Sequence, residues 1–286
     1  MKHVLVLGAS GMAGHVVALY LKEAGFNVDT LSSTHKFDDN TVLLDVTDTA
    51  MLRQFLKSKK YDEVINCIAL LVGPSEDNKD LAAKLNSDLP RYLEEFYKDS
   101  GTKIVHISTD GVFSGLHPPY KENSAYDCDT VYGCTKARGE IINDKDLTFR
   151  LSIFGPTMRA DGTGIFNWFY NQRGKINGYK NVLWNGVSTI ELAKGIKAAI
   201  EQNLTGIYHF VPNKTISKFD KLQLFKEVFG RDDIIINPVE GKAVGTSIVN
   251  TRKDFRYNIP SYKIMVEEMK SWIDKRPDIY KHYAKV

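Results

Sequence analysis

Several things are scarce in this chain, and each scarcity argues against a class of function. Cysteine is rare: Cys67, Cys128 and Cys134 are the three among 286 residues. No two stand as Cys-x-x-Cys, and three thiols make no disulfide framework. That argues against structural zinc and dithiol redox chemistry and for reduced thiols in a cytoplasmic protein. Long apolar runs are missing too. The run inside the N-terminal "MKHVLVLGASG" is too short for the hydrophobic segment of a signal peptide. No apolar stretch of about 18 residues is present to span a bilayer. Charge excess is small, with 38 Lys and Arg against 35 Asp and Glu, a net +3. A dedicated nucleic-acid binder carries a strong basic excess. Neither a nucleic acid nor a membrane is therefore expected as a partner. There is no internal repeat and no low-complexity tract.

What is present is ordinary for a globular protein: 43% hydrophobic and 26% charged residues. The length suits one large α/β domain, or one domain with a smaller appendage, and buries a sizeable core. Apolar runs at residues 3–9, 27–33, 41–46, 63–70, 103–109 and 147–155 read as strands. Helical patterns at 12–25, 49–60, 77–101 and 131–144 lie between them. Strands alternating with helices predict a parallel sheet covered on both faces. Beyond that the pattern loosens. Helices are expected at 185–202, 217–230 and 261–276 and a strand at 206–212, among loops rich in Gly, Asn and Pro.

The segment "GASGMAG" (8–14) follows the first strand and opens the first helix. Glycines in that context allow a tight turn and close backbone approach to a pyrophosphate, which meets the free N–H groups of a helix N-terminus. Gly8, Ser10, Gly11, Met12 and Gly14 are therefore candidate cofactor-binding residues. They predict a Rossmann-type doubly wound α/β fold. Residues 1–156 are expected to form the dinucleotide-binding domain. Residues 157–286 are expected to form a smaller α/β substrate lobe, interleaved with the sheet edge rather than separable from it. At the end of the second strand an NAD site usually places Asp or Glu on the ribose hydroxyls. Here the segment is "LSSTHK" (31–36), with neutral Ser32 and Ser33 followed by His35 and Lys36. An acidic side chain would repel a 2′-phosphate and this segment would accept one. NADPH is expected as the preferred cofactor, with NADH left open.

The hexapeptide "VYGCTK" (131–136) sets Tyr132 and Lys136 four residues apart. On a helix such residues share a face. An ammonium beside a phenol stabilises the phenolate and lowers its pKa, which suits a general acid or base near neutral pH.

Seven motifs occur in order: "GASGMAG", "LDVTD" (44–48), "NCIA" (66–69), "ISTDGVFSG" (107–115), "YKENS" (120–124), "VYGCTKARGE" (131–140) and "RLSIFGP" (150–156). As a set they resemble the extended short-chain dehydrogenase/reductases that act on sugar nucleotides, above all dTDP-4-dehydrorhamnose reductases. The resemblance covers residues 1–156 well and the rest in outline. It implies NADPH-dependent reduction of the 4-keto group of a nucleotide-linked 6-deoxy sugar, in surface-polysaccharide precursor synthesis, by a chain that could pair as a homodimer. It also implies roles. Thr109 corresponds to the hydroxyl that hydrogen-bonds the substrate carbonyl, Tyr132 to the proton donor, and Lys136 to the residue that holds the nicotinamide ribose and depresses the tyrosine pKa. Asp45 and Val46 correspond to the adenine pocket, and Cys67, Ile68 and Ala69 to the segment under the nicotinamide ribose. Asp110 and Gly111 stand with Thr109 and Tyr132 at the substrate. No residue is assigned to a metal.

Two departures stand out. Gly111 replaces a common tyrosine, which opens the sugar pocket and leaves N-acetylated sugars on UDP or GDP as candidates. The segment "LLVGPSEDNKD" (70–80) differs from the usual pattern. An epimerase of the same superfamily is a second reading, against which the missing acidic residue after the second strand counts. A dehydratase would carry Asp-Glu beside the active-site threonine, where this chain has Asp110 and Gly111. A non-catalytic NADP-binding regulatory subunit is a third. In the second half, Arg150, Arg159, Lys175 and Lys180 are basic residues expected mainly at the solvated surface, with contact to a nucleotide diphosphate as the other role. Trp168 and Trp184 are expected in the core, and "DGTG" (161–164) as a mobile loop.

Overall fold

The structure is a computed structural model and describes residues 1–241 and 247–284. In chain order its strands are β1 (His3–Leu7), β2 (Asn27–Ser32), β3 (Val42–Leu43), β4 (Glu63–Asn66), β5 (Lys103–Ile107), β6 (Leu147–Arg150), β7 (Ile153–Phe154), β8 (Gly174–Tyr179), β9 (Leu183–Trp184), β10 (Val187–Ser188), β11 (Gly206–His209), β12 (Ile216–Ser217) and β13 (Ile234–Val239). The α-helices are α1 (Gly14–Glu23), α2 (Thr49–Ser58), α3 (Val72–Asp77), α4 (Lys79–Ala82), α5 (Leu89–Tyr97), α6 (Val131–Gly139), α7 (Ile165–Tyr170), α8 (Thr189–Glu201), α9 (Lys218–Phe229) and α10 (Tyr262–Asp274).

Seven strands form one all-parallel sheet in the order β11-β6-β5-β4-β1-β2-β3. This is the Rossmann-type doubly wound arrangement, and its order reverses between β1 and β4. Ligands of such sheets sit at the carboxyl ends of the strands beside that reversal. The central strands are apolar because helices cover both faces: Val4 to Leu7 and Val64 and Ile65 are buried. One apolar cluster joins α1, α8 and α10 to one face, through residues such as Val17, Leu21, Ile196 and Met269. A second joins α2 and α5 to the other, through Leu52, Leu56, Leu89 and Leu93. Helix starts are marked by side-chain caps: the Asp48 carboxylate accepts from Ala50 and Met51 N–H, and Ser188, Ser217 and Ser261 cap α8, α9 and α10. No helix among the described residues is long and apolar enough to cross a membrane.

The second half does not stand apart. Strand β11 pairs with β6 and completes the sheet. Outside it, β8 and β13 pair in parallel over six residues each. Neither was legible as a strand, because "GKINGY" and "IINPV" mix Gly, Asn and Pro with their apolar residues.

Three elements differ from expectation near the site. The helix expected over 77–101 is divided into α3, α4, a π-helical turn (Ala83–Asp88) and α5. The helix expected over 131–144 stops at Gly139, where Glu140 turns inward to a buried arginine. The strand expected over 147–155 breaks after Arg150 and resumes as β7, so that Leu151 and Ser152 turn toward the sheet's carboxyl edge.

Candidate active site

The turn after β1 is built for close approach. Gly8 has φ +80°, a region that favours glycine, and a Cβ on Gly14 would lie 2.1 Å from the Gly8 carbonyl oxygen. Gly8 and Ala9 N–H both donate to Leu31 O, at 2.9 and 3.0 Å, which ties the turn to β2. His15 secures it from behind. Its Nδ1 lies 2.7 Å from Gly11 O and its Nε2 2.9 Å from the Tyr280 hydroxyl, which accepts from Trp272 Nε1. Burial pushes the His15 pKa down to about 4, so the imidazole is neutral. It then donates through Nδ1 and accepts through Nε2.

A cavity of about 410 Å³ opens at this turn. Gly8, Ser10 and Gly11 form one wall, and Ser32 and Ser33 a second. Asp45, Val46, Cys67, Ile68 and Ala69 line it as well, with Leu31, Leu44, Leu81 and Leu85 among its apolar residues. Ten of the expected cofactor-binding residues thus meet here, while Tyr132 and Lys136 line the neighbouring cavity. Met12 lines the neighbouring cavity, and Gly14 is buried in the turn itself. Asp45 accepts from Thr47 N–H and hydroxyl and is exposed at the rim. Ser32 is 1% exposed and its hydroxyl has no partner among the described residues. A buried orphan hydroxyl beside a glycine cradle fits a dinucleotide whose ribose and phosphate oxygens would complete the bonding.

A second cavity, of about 360 Å³, shares Gly11, Cys67 and Ala69 with the first. Thr109, Tyr132 and Lys136 line it, together with Met12, Ser152 and Thr163. Thr109 follows β5, at the carboxyl edge. Its Oγ1 accepts from Gly111 N–H at 3.0 Å and donates to Asp110 Oδ1 at 3.2 Å. Tyr132 comes from the first turn of α6. That turn approaches Gly111 so closely that a Cβ on Gly133 would lie 2.1 Å from Gly111 O. The residue after the tyrosine is glycine for that reason. A Cβ on Gly111 would meet the Thr109 side chain and the Tyr132 ring at an ordinary 3.4–3.6 Å. Asp110 and Gly111 themselves, expected at the substrate, are not among the residues that line either cavity.

The electrostatics depart from the sequence reading. Burial pushes the Tyr132 pKa up to about 12; its hydrogen bond with Thr109 pulls it down and the Asp110 charge raises it again. Lys136 is not among the causes. It is 1% exposed, and its Nζ donates to Ile107 O at 2.7 Å and lies 3.3 Å from His106 Nε2. Burial pulls its pKa down to about 8, with Glu140 and Cys67 acting against that. The expected depression of the phenol pKa by Lys136 is therefore not found.

A buried charge pair lies behind the residues of this cavity. Glu140 and Arg150 form a buried pair, with Arg150 Nη2 2.7 Å from Glu140 Oε2 and Nε 2.9 Å from Oε1. Ser108 donates to Glu140 Oε1 at 2.6 Å and Tyr126 to Oε2 at 2.7 Å. Arg150 is thus neither a surface residue nor free for a diphosphate, because a carboxylate takes its charge inside the protein. The π-helical turn presents buried Asn86, which bonds Leu70 N–H and carbonyl and reaches the Thr135 hydroxyl at 3.1 Å. Such turns recur at functional sites.

Other candidates fall elsewhere. Lys175 and Lys180 are exposed. Arg159 is exposed and reaches across from the second half to His35 Nε2 at 3.1 Å, beside the first cavity. Trp168 is 45% exposed, against the expectation of core; α7 turns its other aromatic residues, Phe166, Phe169 and Tyr170, inward instead. Trp184 is half-buried and packs against the core. The Cys128 and Cys134 thiols are 2.7 Å apart at the start of α6, a contact their six-residue spacing did not suggest.

Residues 1–253 match the family described as RmlD substrate binding domain. A dTDP-4-dehydrorhamnose reductase of Streptomyces griseus is 36% identical over 138 residues, 48% of this chain and 43% of that protein's length. A dTDP-4-keto-6-deoxy-D-glucose reductase of Streptomyces niveus is 25% identical over 254 residues, 82% of this chain and 81% of that protein. Among solved structures, a dTDP-4-dehydrorhamnose reductase of Bacillus anthracis in complex with NADP superposes with a TM-score of 0.81 at 22% identity, over 95% of this chain and 99% of that one. At that identity the superposition shows the fold.

Proposed function

The chain belongs to the RmlD substrate binding domain family, and from that premise we propose that it is an NAD(P)-dependent oxidoreductase that reduces the 4-keto group of a nucleotide-linked 6-deoxy sugar. The observation that carries the reading is the convergence of Thr109, Tyr132 and Lys136 on one cavity continuous with the glycine turn. Proteins of similar sequence are named as reductases of such sugars.

The dinucleotide would lie from Ser33 to Tyr132, with its pyrophosphate on the N–H groups of the turn and α1. When bound, its nicotinamide supplies the hydride that the protein cannot. The chain's own groups do the rest. A carbonyl that accepts hydride gathers negative charge on oxygen. Thr109 Oγ1 and the Tyr132 hydroxyl converge as donors to that oxygen, and the phenol gives it a proton. A phenol held at about 12 keeps its proton until the developing alkoxide, a much stronger base, takes it. Lys136, buried at the base of α6, is placed to hold the nicotinamide ribose and to offset charge left on the phenolate. The preference for NADPH rests on the segment after β2, where Ser33, Thr34, His35 and Lys36 are exposed and none is acidic, and on Arg159 beside His35. A cytoplasmic supply of surface-polysaccharide precursors is the setting that suits such a substrate.

The test is a panel of dTDP-, UDP- and GDP-linked 4-keto sugars, each followed by NADPH oxidation. Turnover of at least one member is expected, with little on the free keto sugar, because the remote nucleotide supplies binding energy that a small ring lacks. Comparable kcat/KM on the free sugar would overturn the nucleotide-sugar assignment. Protein that binds NADPH but oxidises it with no member would point to the regulatory-subunit reading.

A further inference from the structure

Helix α9 sends one lysine inward. Lys221 stands in its first turn, is 3% exposed, and carries its Nζ 3.6 Å from the centroid of the Trp184 ring. Among the described residues no oxygen or nitrogen acceptor bonds that ammonium. Burial pulls its pKa down to about 7, neighbouring Lys218 adds to that, and the Asp110 carboxylate raises it. A buried cation resting on a ring face is incompletely compensated.

The position of this cation ties it to the catalytic cavity. The Trp184 indole N–H donates to Ser152 Oγ at 2.8 Å, and Ser152 lines that cavity with Thr109 and Tyr132. Asp110, adjacent to Thr109, acts electrostatically on both Lys221 and Tyr132. Lys221 therefore stands against the Trp184 ring, one side chain behind Ser152 in the cavity wall, and neither it nor Trp184 lines the cavity itself. Arg150 is committed to Glu140, and Arg159 to Asp161 and His35, so neither basic residue competes for an anion there.

We propose that Lys221 is a binding residue of the substrate site, whose ammonium takes a phosphate oxygen of the nucleotide-linked sugar while Trp184 holds it in place. This rests on the reading of the chain as a sugar-nucleotide reductase. A phosphate is favoured over a sugar hydroxyl because only an anion offsets the charge that burial and Lys218 make costly. The same phosphate explains why a cation is kept inside this lobe with no hydrogen-bond acceptor among the described residues.

The experiment is calorimetric titration of the intact chain with dTDP, UDP and GDP, for the wild type and Lys221→Met, with NADPH titration as control. Lys221→Met is expected to lose about 10–100-fold in affinity for the preferred nucleoside diphosphate, the range of a charge-assisted bond, while NADPH affinity is unchanged. Lys221→Arg is expected to recover part of the loss. In turnover the effect should fall on KM more than on kcat. Wild-type affinity for every nucleoside diphosphate in a folded Lys221→Met protein would overturn the proposal. If that variant does not fold, Trp184→Leu removes the platform and carries the same expectation. Turnover of a keto sugar nucleotide with diphosphate binding indifferent to Lys221 would sink the lysine assignment alone. Lys221-dependent diphosphate binding without any turnover would sink the reductase reading alone.

Discussion

Tyr132 and Lys136 stand one turn apart on α6, yet their polar ends face different partners. The Lys136 ammonium donates to Ile107 O at 2.7 Å, and the Tyr132 phenol is hydrogen-bonded to Thr109. The spacing puts both side chains on one helix face, as the period of the helix requires. It does not put ammonium on phenol. Lys136 is held by the carbonyl of Ile107, the last residue of β5. The pair thus acts through whatever lies between them in the cavity.

Tyr132→Phe removes the proposed proton donor and leaves the ring, which also packs near Gly111. Turnover is expected to fall by about 10²–10⁴-fold, the usual worth of a general acid. NADPH affinity should stay within a few-fold of wild type. The checks are steady-state kinetics and a fluorescence titration. Near-wild-type turnover would remove Tyr132 from the chemistry.

Lys136 makes a prediction about pH. Its folded pKa, about 8, lies below the ordinary 10.5. A depressed pKa means that its contribution to stability is full above 10.5 and is lost as pH falls through about 8. The unfolded chain binds more protons between those values, so this lysine makes stability rise with pH there. Tyr132 and Cys67, both pushed up to about 12, act in the opposite direction at higher pH. The comparison is therefore made between pH 8 and 9, where urea unfolding of wild type and Lys136→Met should show a smaller rise in the variant. Equal slopes would mean that the ammonium is not penalised by its burial.

The Glu140–Arg150 pair gives a stability prediction. Both side chains are about fully buried, and Ser108 and Tyr126 complete the carboxylate's bonding. Removing one partner of a buried pair leaves the other charge uncompensated, which costs about 3–5 kcal/mol. Glu140→Gln is expected to lose about that much in urea unfolding. Replacing both residues by apolar ones of similar volume should recover most of it. A loss near zero for Glu140→Gln would show that Arg150 finds another acceptor.

Much of this was legible in the sequence because local chemistry dictated it. The glycine turn, β1 and β4, and the Tyr132–Lys136 spacing each follow from a short stretch whose geometry admits few alternatives. What was not legible depends on distant residues. Glu140 ends α6 early because Arg150, ten residues on, draws it inward. Arg150 looked like a surface cation for the same reason, since no local pattern announces a buried pair. The π-helical turn at Asn86 has ordinary helical composition. Its register shift shows only where its side chain bonds the Leu70 backbone. Lys221 reads as one of many lysines on an amphipathic helix until Trp184, from a different strand, appears beneath it.

Cofactor choice offers the last test, and it can be made at a site that touches neither the chemistry nor the core. Ser33 is exposed at the rim of the 410 Å³ cavity, followed by Thr34, His35 and Lys36. Arg159 meets His35 there, although Asp161 partly neutralises its charge. A 2′-phosphate brings nearly two negative charges to this rim, where only a ribose hydroxyl would otherwise lie. Ser33→Asp places a like charge beside it and an acceptor beside the hydroxyl. The ratio of kcat/KM for NADPH to that for NADH is expected to fall by about 10–100-fold, mostly through a higher KM for NADPH, and less at high salt because the rim is exposed. Arg159→Ala should weaken NADPH and leave NADH alone. If wild type already uses NADH as well as NADPH, or if Ser33→Asp leaves the ratio unchanged, the segment after β2 does not read the 2′-phosphate and its lack of an acidic residue has another cause.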